Sequence, residues 1–454
     1  MPAARVAVVP RREPRRKTAA LRIPTTGQHA GRRVLNPTRR VSISAPASLP
    51  APVVRPIPEP SRALKRPAPR LALLVFLAGL AILFNLRPLY NWDLVGYVGA
   101  VLEWETPGAA ALHARTYGLL ARDLPPAAFR ELLQRLPYTR VVARDPEAFV
   151  EQLPFYRVKV GYVALLAGLR AIGMDLHRAV ALVSALSTVG CLAILFLWLE
   201  GSVGSGRAAW MAAAVGLSPP LIALGRLATP DALACLLVFA ASWQLGVGHR
   251  NLAVGLGTAA VTVRPDTLVF IGLLALTWAW QAPRAGDRGR GVLLGALALA
   301  AYWGETHWAH AYPWTVLFHH TFTGWLDDPR HFHGGVTPGL YLRVVAGELP
   351  HLQSSVLTLV AAWLGLVAGL GGRLTRQWAR GVGSAILPWS GLPSSALPSS
   401  ALPPAALLPA ALAAVALHFL LFPSLADRFF VPQGLLVLVA VVAMLGEIET
   451  AAGP

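Results

Sequence analysis

Leu71-Ala72-Leu73-Leu74-Val75-Phe76-Leu77-Ala78-Gly79-Leu80-Ala81-Ile82-Leu83-Phe84-Asn85-Leu86-Arg87-Pro88 is followed at once by Leu89-Tyr90-Asn91-Trp92-Asp93. A helix crossing a bilayer needs about 20 mostly apolar residues, so the run at 71–88 predicts a membrane span. Tyr90 and Trp92 are residues that favour the membrane–water interface, which places the end of the span just before Asp93. A carboxylate so close to the hydrocarbon is costly to keep unless it is used, which makes Asp93 the first candidate functional residue. The plain alternative is an acid solvated beyond a helix end.

Composition extends this reading to the whole chain. Of 454 residues, 55% are hydrophobic and only 14% charged, with a mean hydropathy of +0.53. A soluble domain carries about 25% charged residues, so a soluble globular enzyme is excluded and a polytopic membrane protein predicted. The net charge of +18 is mostly local: residues 1–70 hold 16 of the 40 Lys and Arg, including Arg11, Arg12, Arg15, Arg16, Lys17, Arg39 and Arg40, against Glu13 and Glu59. This tail is rich in Pro, Ala and Ser and lacks apolar periodicity, which predicts disorder. It is expected in the cytoplasm beside anionic lipid. Without interleaved aromatics, it does not point to nucleic acid. Cys191 and Cys235 both fall inside apolar runs and read as small core residues, so no disulfide framework is expected. With no apolar run before residue 70, no cleavable signal peptide is expected.

Further apolar runs lie at about 158–173, 177–199, 208–224, 232–248, 251–263, 267–281, 291–303, 352–371, 405–423 and 429–446. Basic residues mark the cytoplasmic side. The tail, Arg207, His249-Arg250, Arg284/Arg288/Arg290 and Arg373/Arg376/Arg380 all satisfy this if one run between Asp93 and Arg207 does not cross. Run 158–173 is short and carries Lys159 and Arg170, so it is read as a re-entrant or interfacial helix. The expected fold is therefore an all-α transmembrane bundle of about ten spans with both termini inside. Residues 1–70 form the tail and 71–446 the transmembrane domain; 89–157 is the first outer loop and 304–350 a His- and aromatic-rich outer loop. Residues 381–404 are a Pro/Ser low-complexity linker, whose repeated prolines prevent a continuous helix, and 447–454 a short tail. Arginines alone set this topology, yet it brings Asp93, Asp231, the break Arg264-Pro265-Asp266, the 304–350 loop and Asp427-Arg428 to one face.

The order of motifs resembles the GT-C superfamily of integral-membrane glycosyltransferases, among them protein O-mannosyltransferases, lipid A aminoarabinose transferases and oligosaccharyltransferase catalytic subunits. The resemblance rests on Asp93 after the first span and on Pro154-Phe155-Tyr156-Arg157-Val158-Lys159-Val160-Gly161-Tyr162 before a Leu-rich run. It continues in Ser218-Pro219-Pro220 with Leu224-Gly225-Arg226-Leu227-Ala228-Thr229-Pro230-Asp231, in Arg264-Pro265-Asp266 and in Arg428-Phe429-Phe430-Val431-Pro432. It runs through most of residues 71–446. The chain departs from the family in having Leu94 after Asp93, where mannosyltransferases have adjacent Asp-Glu, and in lacking the Trp-Trp-Asp signature of oligosaccharyltransferases.

The resemblance implies transfer of a sugar from a polyprenyl-phosphate donor to an acceptor at the outer face of the bacterial inner membrane, with no nucleic-acid partner. Such transfer needs a base for the acceptor's proton and cations for the leaving phosphate. Asp93 is the expected base and Asp231 the assisting acid or metal ligand; Arg264 and Arg428 are the expected phosphate partners. The structural alternatives are Asp231 as a helix cap, Arg264 paired with Asp266, and Arg428 paired with Asp427. Glu103 and Glu105 are further acceptor-side candidates, or solvated loop acids. In the 304–350 loop, His307-x-x-His310 has ligand spacing, and imidazole with carboxylate suits Zn²⁺ or Mn²⁺. An aromatic belt with interfacial histidines accounts for the same loop, so whether a divalent metal is a cofactor stays open. The rival to an enzyme is a non-catalytic lipid or glycan binder or transporter. A cysteine introduced at Gly335 is expected to react with a membrane-impermeant thiol reagent on intact cells; labelling only after lysis reverses the orientation.

Overall fold

A computed structural model of the chain describes residues 67–282, 284–326, 328–350 and 402–452, with side chains to 445. The expectations for most of the tail, run 352–371, Arg373/Arg376/Arg380 and the Pro/Ser linker up to 401 lie outside the described residues. The regular structure of the described residues is all helical, apart from one isolated parallel β-bridge between Leu89 and Leu227.

The first helix, α1, spans Pro67–Leu86. Six short helices follow: α2 Asp93–Leu102, α3 Ala109–Asp123, α4 Pro126–Gln134, α5 Pro137–Val142, α6 Pro146–Gln152 and α7 Pro154–Arg157. Then come α8 Val160–Ala171, α9 Leu176–Val203, α10 Ser205–Gly216, α11 Pro219–Arg226, α12 Asp231–Val247, α13 Arg250–Val263, α14 Leu268–Gln281 and α15 Ala285–Trp308. The described chain ends with α16 Trp314–Phe322, α17 Pro338–Glu348, α18 Pro404–Leu421 and α19 Val431–Ala452.

Three of these, α1, α9 and α18, are long and apolar enough to cross a membrane, and a fourth is reached if the bent pair α10–α11 counts as one span. The apolar run 208–224 is thus a pair of helices rather than one. It bends by 67°, because Pro219 and Pro220 have no N–H to continue the ladder and a residue before proline is driven to an extended conformation. Ser218 has ψ 142° accordingly. Runs 232–248, 251–263 and 267–281 become helices of only 17, 14 and 14 residues, the first at the lower limit of a straight span and the other two below it. Run 158–173 becomes the 12-residue α8, which at 1.5 Å per residue is also too short to cross.

Contacts sort the helix termini into two ends. At one end Arg70 pairs with Glu200 (3.0 Å), Arg250 with Asp287, Arg290 with Asn251 (3.1 Å), and the Leu402 N–H donates to the Leu245 carbonyl (3.3 Å). At the other, the segments after α1 and α11 meet at the Leu89–Leu227 bridge, and the starts of α12, α14 and α19 come together through Asp231, Asp266 and Arg428. One apolar core runs through α1, α9–α15, α18 and α19, with Leu435 to Ala440 of α19 buried on every side. A second core lies within α2–α8 and the start of α9. In α2, Leu94 to Leu102 are all buried, so the segment expected as a first outer loop is a helical subassembly with an interior of its own.

Close approach between helices rests on small residues. At Gly291 of α15 an added Cβ would stand 2.8 Å from the backbone nitrogen of Ala279 in α14, which cannot swing aside. Gly291→Val is therefore expected to destabilise the bundle by about 1–3 kcal/mol. Gly295→Ala, where a Cβ would meet only the Ala275 methyl at 3.6 Å, is expected to leave thermal melting in detergent unchanged or raised; equal losses in both variants would contradict this packing.

Candidate functional site

The Leu89–Leu227 bridge sets the site's geometry. Leu89 donates to the Arg226 carbonyl (2.7 Å) and accepts from the Ala228 N–H (3.2 Å). The two segments run parallel, and Asp93 and Asp231 each stand four residues beyond the bridge. Each acid is also the first residue of its helix, α2 or α12, where the positive end of the helix dipole favours a carboxylate. Asp231 makes no cap; its carboxylate accepts instead from the Thr229 hydroxyl (2.6 Å) and the Arg264 guanidinium.

Arg264 is placed by the break in the α13–α14 hairpin. Pro265 forces Arg264 to φ −155°, ψ 103°, and a short 3₁₀ turn follows at Pro265–Thr267. Its side chain is largely buried and donates to Asp266 (2.8 Å) as well as to Asp231, and its guanidinium lies over the Phe429 ring (4.4 Å). The expected pairing with Asp266 is present, with Asp231 added. Arg428, in the turn before α19, points away from its neighbour Asp427 and toward Asp231 (3.6 Å) and Asp93 (3.9 Å). Its side chain is 34% exposed against 12% for Arg264. That difference separates their chemistry. Arg264 has its fork filled by two carboxylates, whereas Arg428 holds its partners at long distance and remains open to an anion.

Asp93 is held by the Asn91 amide (2.6 Å) and the Tyr156 hydroxyl (3.3 Å). Tyr156 comes close because α2 offers Gly96, where a Cβ would lie 2.3 Å from the tyrosine ring. Lys159 lies between the rings of Tyr97 (5.2 Å) and Tyr156 (5.3 Å) and donates to the Phe155 carbonyl (2.9 Å). Burial pushes its amine down to about 8, with Asp93 opposing. Three carboxylates, Asp93, Asp231 and Asp266, thus stand among three cations, Lys159, Arg264 and Arg428. That balance lets so many charges sit at the end of an apolar bundle.

Asp231, Arg264, Asp266, His418, Arg428 and Phe429 line a narrow, partly open cleft of about 30 Å³. Asp93 is not on its wall but behind Arg428, and its neighbours Trp92 and Tyr156 line a second, aromatic cleft with Tyr138 and Phe149. Asp93 therefore stands between two clefts.

Of the residues singled out in the sequence, Asp93, Asp231, Arg264 and Arg428 come together and the others do not. Glu103 ends α2, about 15 Å along the helix from Asp93, and binds Arg157 (2.7 Å), which reaches the Ala309 carbonyl (3.1 Å). Glu105 joins Arg115 (2.8 Å) and Arg170 (3.2 Å). Glu103 ties helices together from a part-buried position, whereas Glu105 is exposed in the loop after α2 and makes surface ion pairs. His307 stacks flat on Trp303 (centroids 5.5 Å, 3°), and His310 takes φ 48° past the end of α15. Sequence reasoning assigned no role to Tyr156, Lys159, Asn91 or His418. The first two lie in the Pro154–Tyr162 motif, and His418, a lone imidazole in an apolar run, sits 3.8 Å from Asp266.

No protein-family model, curated protein or solved structure matches the chain.

Removing one member of a buried ion pair strands the other, at about 3–5 kcal/mol. Asp231→Leu and Arg264→Leu are each expected to lose stability on that scale, and the double variant less than the sum of the two. Strictly additive losses in detergent melting would show that the two side chains do not interact.

Proposed function

We propose that this protein is a membrane glycosyltransferase of GT-C type that moves a sugar from a polyprenyl-phosphate donor to an acceptor at the outer face of the bacterial inner membrane. In this reading the N-terminus is cytoplasmic and the chain crosses about ten times, the short helices completing their spans with flanking residues or with local thinning of the bilayer. The observation that carries the proposal is the convergence of two helix-starting carboxylates, Asp93 and Asp231, on one incompletely engaged arginine, Arg428.

The chemistry follows from the placement. A lipid-linked sugar keeps its tail in the bilayer and its anomeric carbon at the surface. Arg428 takes the donor phosphate. Asp93, aimed by Asn91 and Tyr156, accepts the acceptor's proton as its oxygen attacks the anomeric carbon. The bond from that carbon to the phosphate oxygen breaks, and the negative charge left on polyprenyl phosphate stays with Arg428. Attack opposite the leaving group inverts the anomeric configuration. Arg264, saturated by Asp231 and Asp266, keeps Asp231 ionised and in position rather than binding phosphate itself. A transporter concentrates its charged groups near the middle of broken helices; here they stand at helix starts on one end of the bundle, which favours the enzyme over the non-catalytic binder.

The test is incubation of the purified protein with a panel of radiolabelled polyprenyl-phosphate sugars. Asp93→Asn is expected to lower transfer by about 10²–10⁴-fold, the usual worth of a general base, with unchanged melting. Arg428→Gln is expected to weaken donor binding while Arg428→Lys recovers part of it. Normal transfer by Asp93→Asn removes that residue from the mechanism, and no transfer from any donor favours the non-catalytic reading.

A further inference from the structure

We infer that Glu151, Asp328 and His331 form a divalent-cation site that fastens the segment after α16 onto the α6–α7 corner, independently of what the protein transfers. One ligand atom from each of the three lies within 4.8 Å of the other two. Around a four-coordinate zinc ion, donors stand about 3.4 Å apart, given bond lengths of about 2.0–2.2 Å. The three side chains therefore need to close by little more than an ångström, within the reach of their rotamers. Two carboxylates and an imidazole are a donor set for Zn²⁺ or Mn²⁺, whereas Mg²⁺ and Ca²⁺ prefer oxygen alone.

The Glu151 carboxylate argues for a cation beyond proximity. Its Oε2 is shielded from solvent and has no hydrogen-bond partner, and it faces the Asp328 carboxylate, with Arg330 the cation nearby. Asp328 and His331 are exposed (side chains 57% and 71%), so an ion from solution reaches them. Asp328 also already holds the imidazole, with His331 Nδ1 2.8 Å and 2.9 Å from its two oxygens. Without Glu151 this would be an ordinary surface Asp–His pair, contributing about 0–1 kcal/mol. Glu151 is 177 positions away in the chain, and its partner segment is docked by independent bonds: Tyr312 donates to the Glu151 carbonyl (2.9 Å) and Gln152 to the Leu326 carbonyl (3.2 Å).

The consequence reaches the candidate site. Trp325, three residues before Asp328, stacks on Tyr138 (4.7 Å, 17°) and meets Trp92 edge-on (5.2 Å). An ion at the cluster holds this aromatic cover in place beside Asp93.

The test uses the full, untagged protein stripped with chelator and titrated calorimetrically with Zn²⁺, then Mn²⁺ and Ca²⁺. One equivalent of zinc is expected, with weaker manganese and still weaker calcium binding, together with slower tryptic cleavage after Arg330. Asp328→Asn and His331→Ala are each expected to abolish both effects while leaving the metal-free melting temperature unchanged, because both side chains are exposed. Glu151→Gln is expected to weaken binding, and His307→Ala/His310→Ala to leave it intact. Absence of stoichiometric binding, or zinc protection that survives Asp328→Asn, overturns the inference; so does loss of binding confined to the His307/His310 variant.

Discussion

The buried pairing of Arg264 with Asp231 and Asp266 is the contact around which this end of the molecule is organised. An unpaired guanidinium or carboxylate in an apolar interior costs several kcal/mol, so the starts of α12 and α14 and the end of α13 cannot separate without exposing or stranding a charge. Phe429 lies over Arg264 and carries the turn before α19 into the same cluster. Arg428 then extends the network to Asp93 at the head of α2. Four chain segments are thereby locked by electrostatics at a place where apolar burial alone would let them slide.

This lock divides the labour between two arginines that look equivalent in the sequence. The same cation cannot hold a buried acid firmly and also bind a second anion, because each use occupies the planar fork. The protein gives the first task to Arg264 and leaves Arg428 loosely engaged. The short parallel bridge at Leu89–Leu227 serves the arrangement with almost no ordered structure of its own, since equal offsets along two parallel segments bring the two acids side by side.

The helices and their breaks could be read from the chain because each is decided locally. Apolar length marks the spans, and Pro219 and Pro265 end helices by removing an N–H wherever they occur. The run at 208–224 shows the limit of such a reading: its apolar length marks a possible span, but Pro219 and Pro220 bend it by 67°. The subassembly at 89–157 was visible only as amphipathic sequence, because short helices that bury their faces on one another carry too little periodicity apiece to be told from a loop. Glu103 and Glu105 illustrate a second limit. Acids in a long connection look solvated until Arg157, Arg115 and Arg170 arrive from elsewhere in the chain.

Sequence alone determined that this chain is helical and apolar enough for membrane helices, and it singled out the four charged residues that cluster. Hydrophobicity and proline act over a few residues and need no tertiary information. Tertiary structure alone decided the partners: Arg264 saturated, Arg428 open, Tyr156 and Asn91 aiming Asp93, and Glu103 drawn into a bridge with Arg157. Charge pairing depends on separations of a few ångströms between residues tens to hundreds of positions apart, and on burial that removes water from between them. Neither quantity is written in any local stretch of the chain.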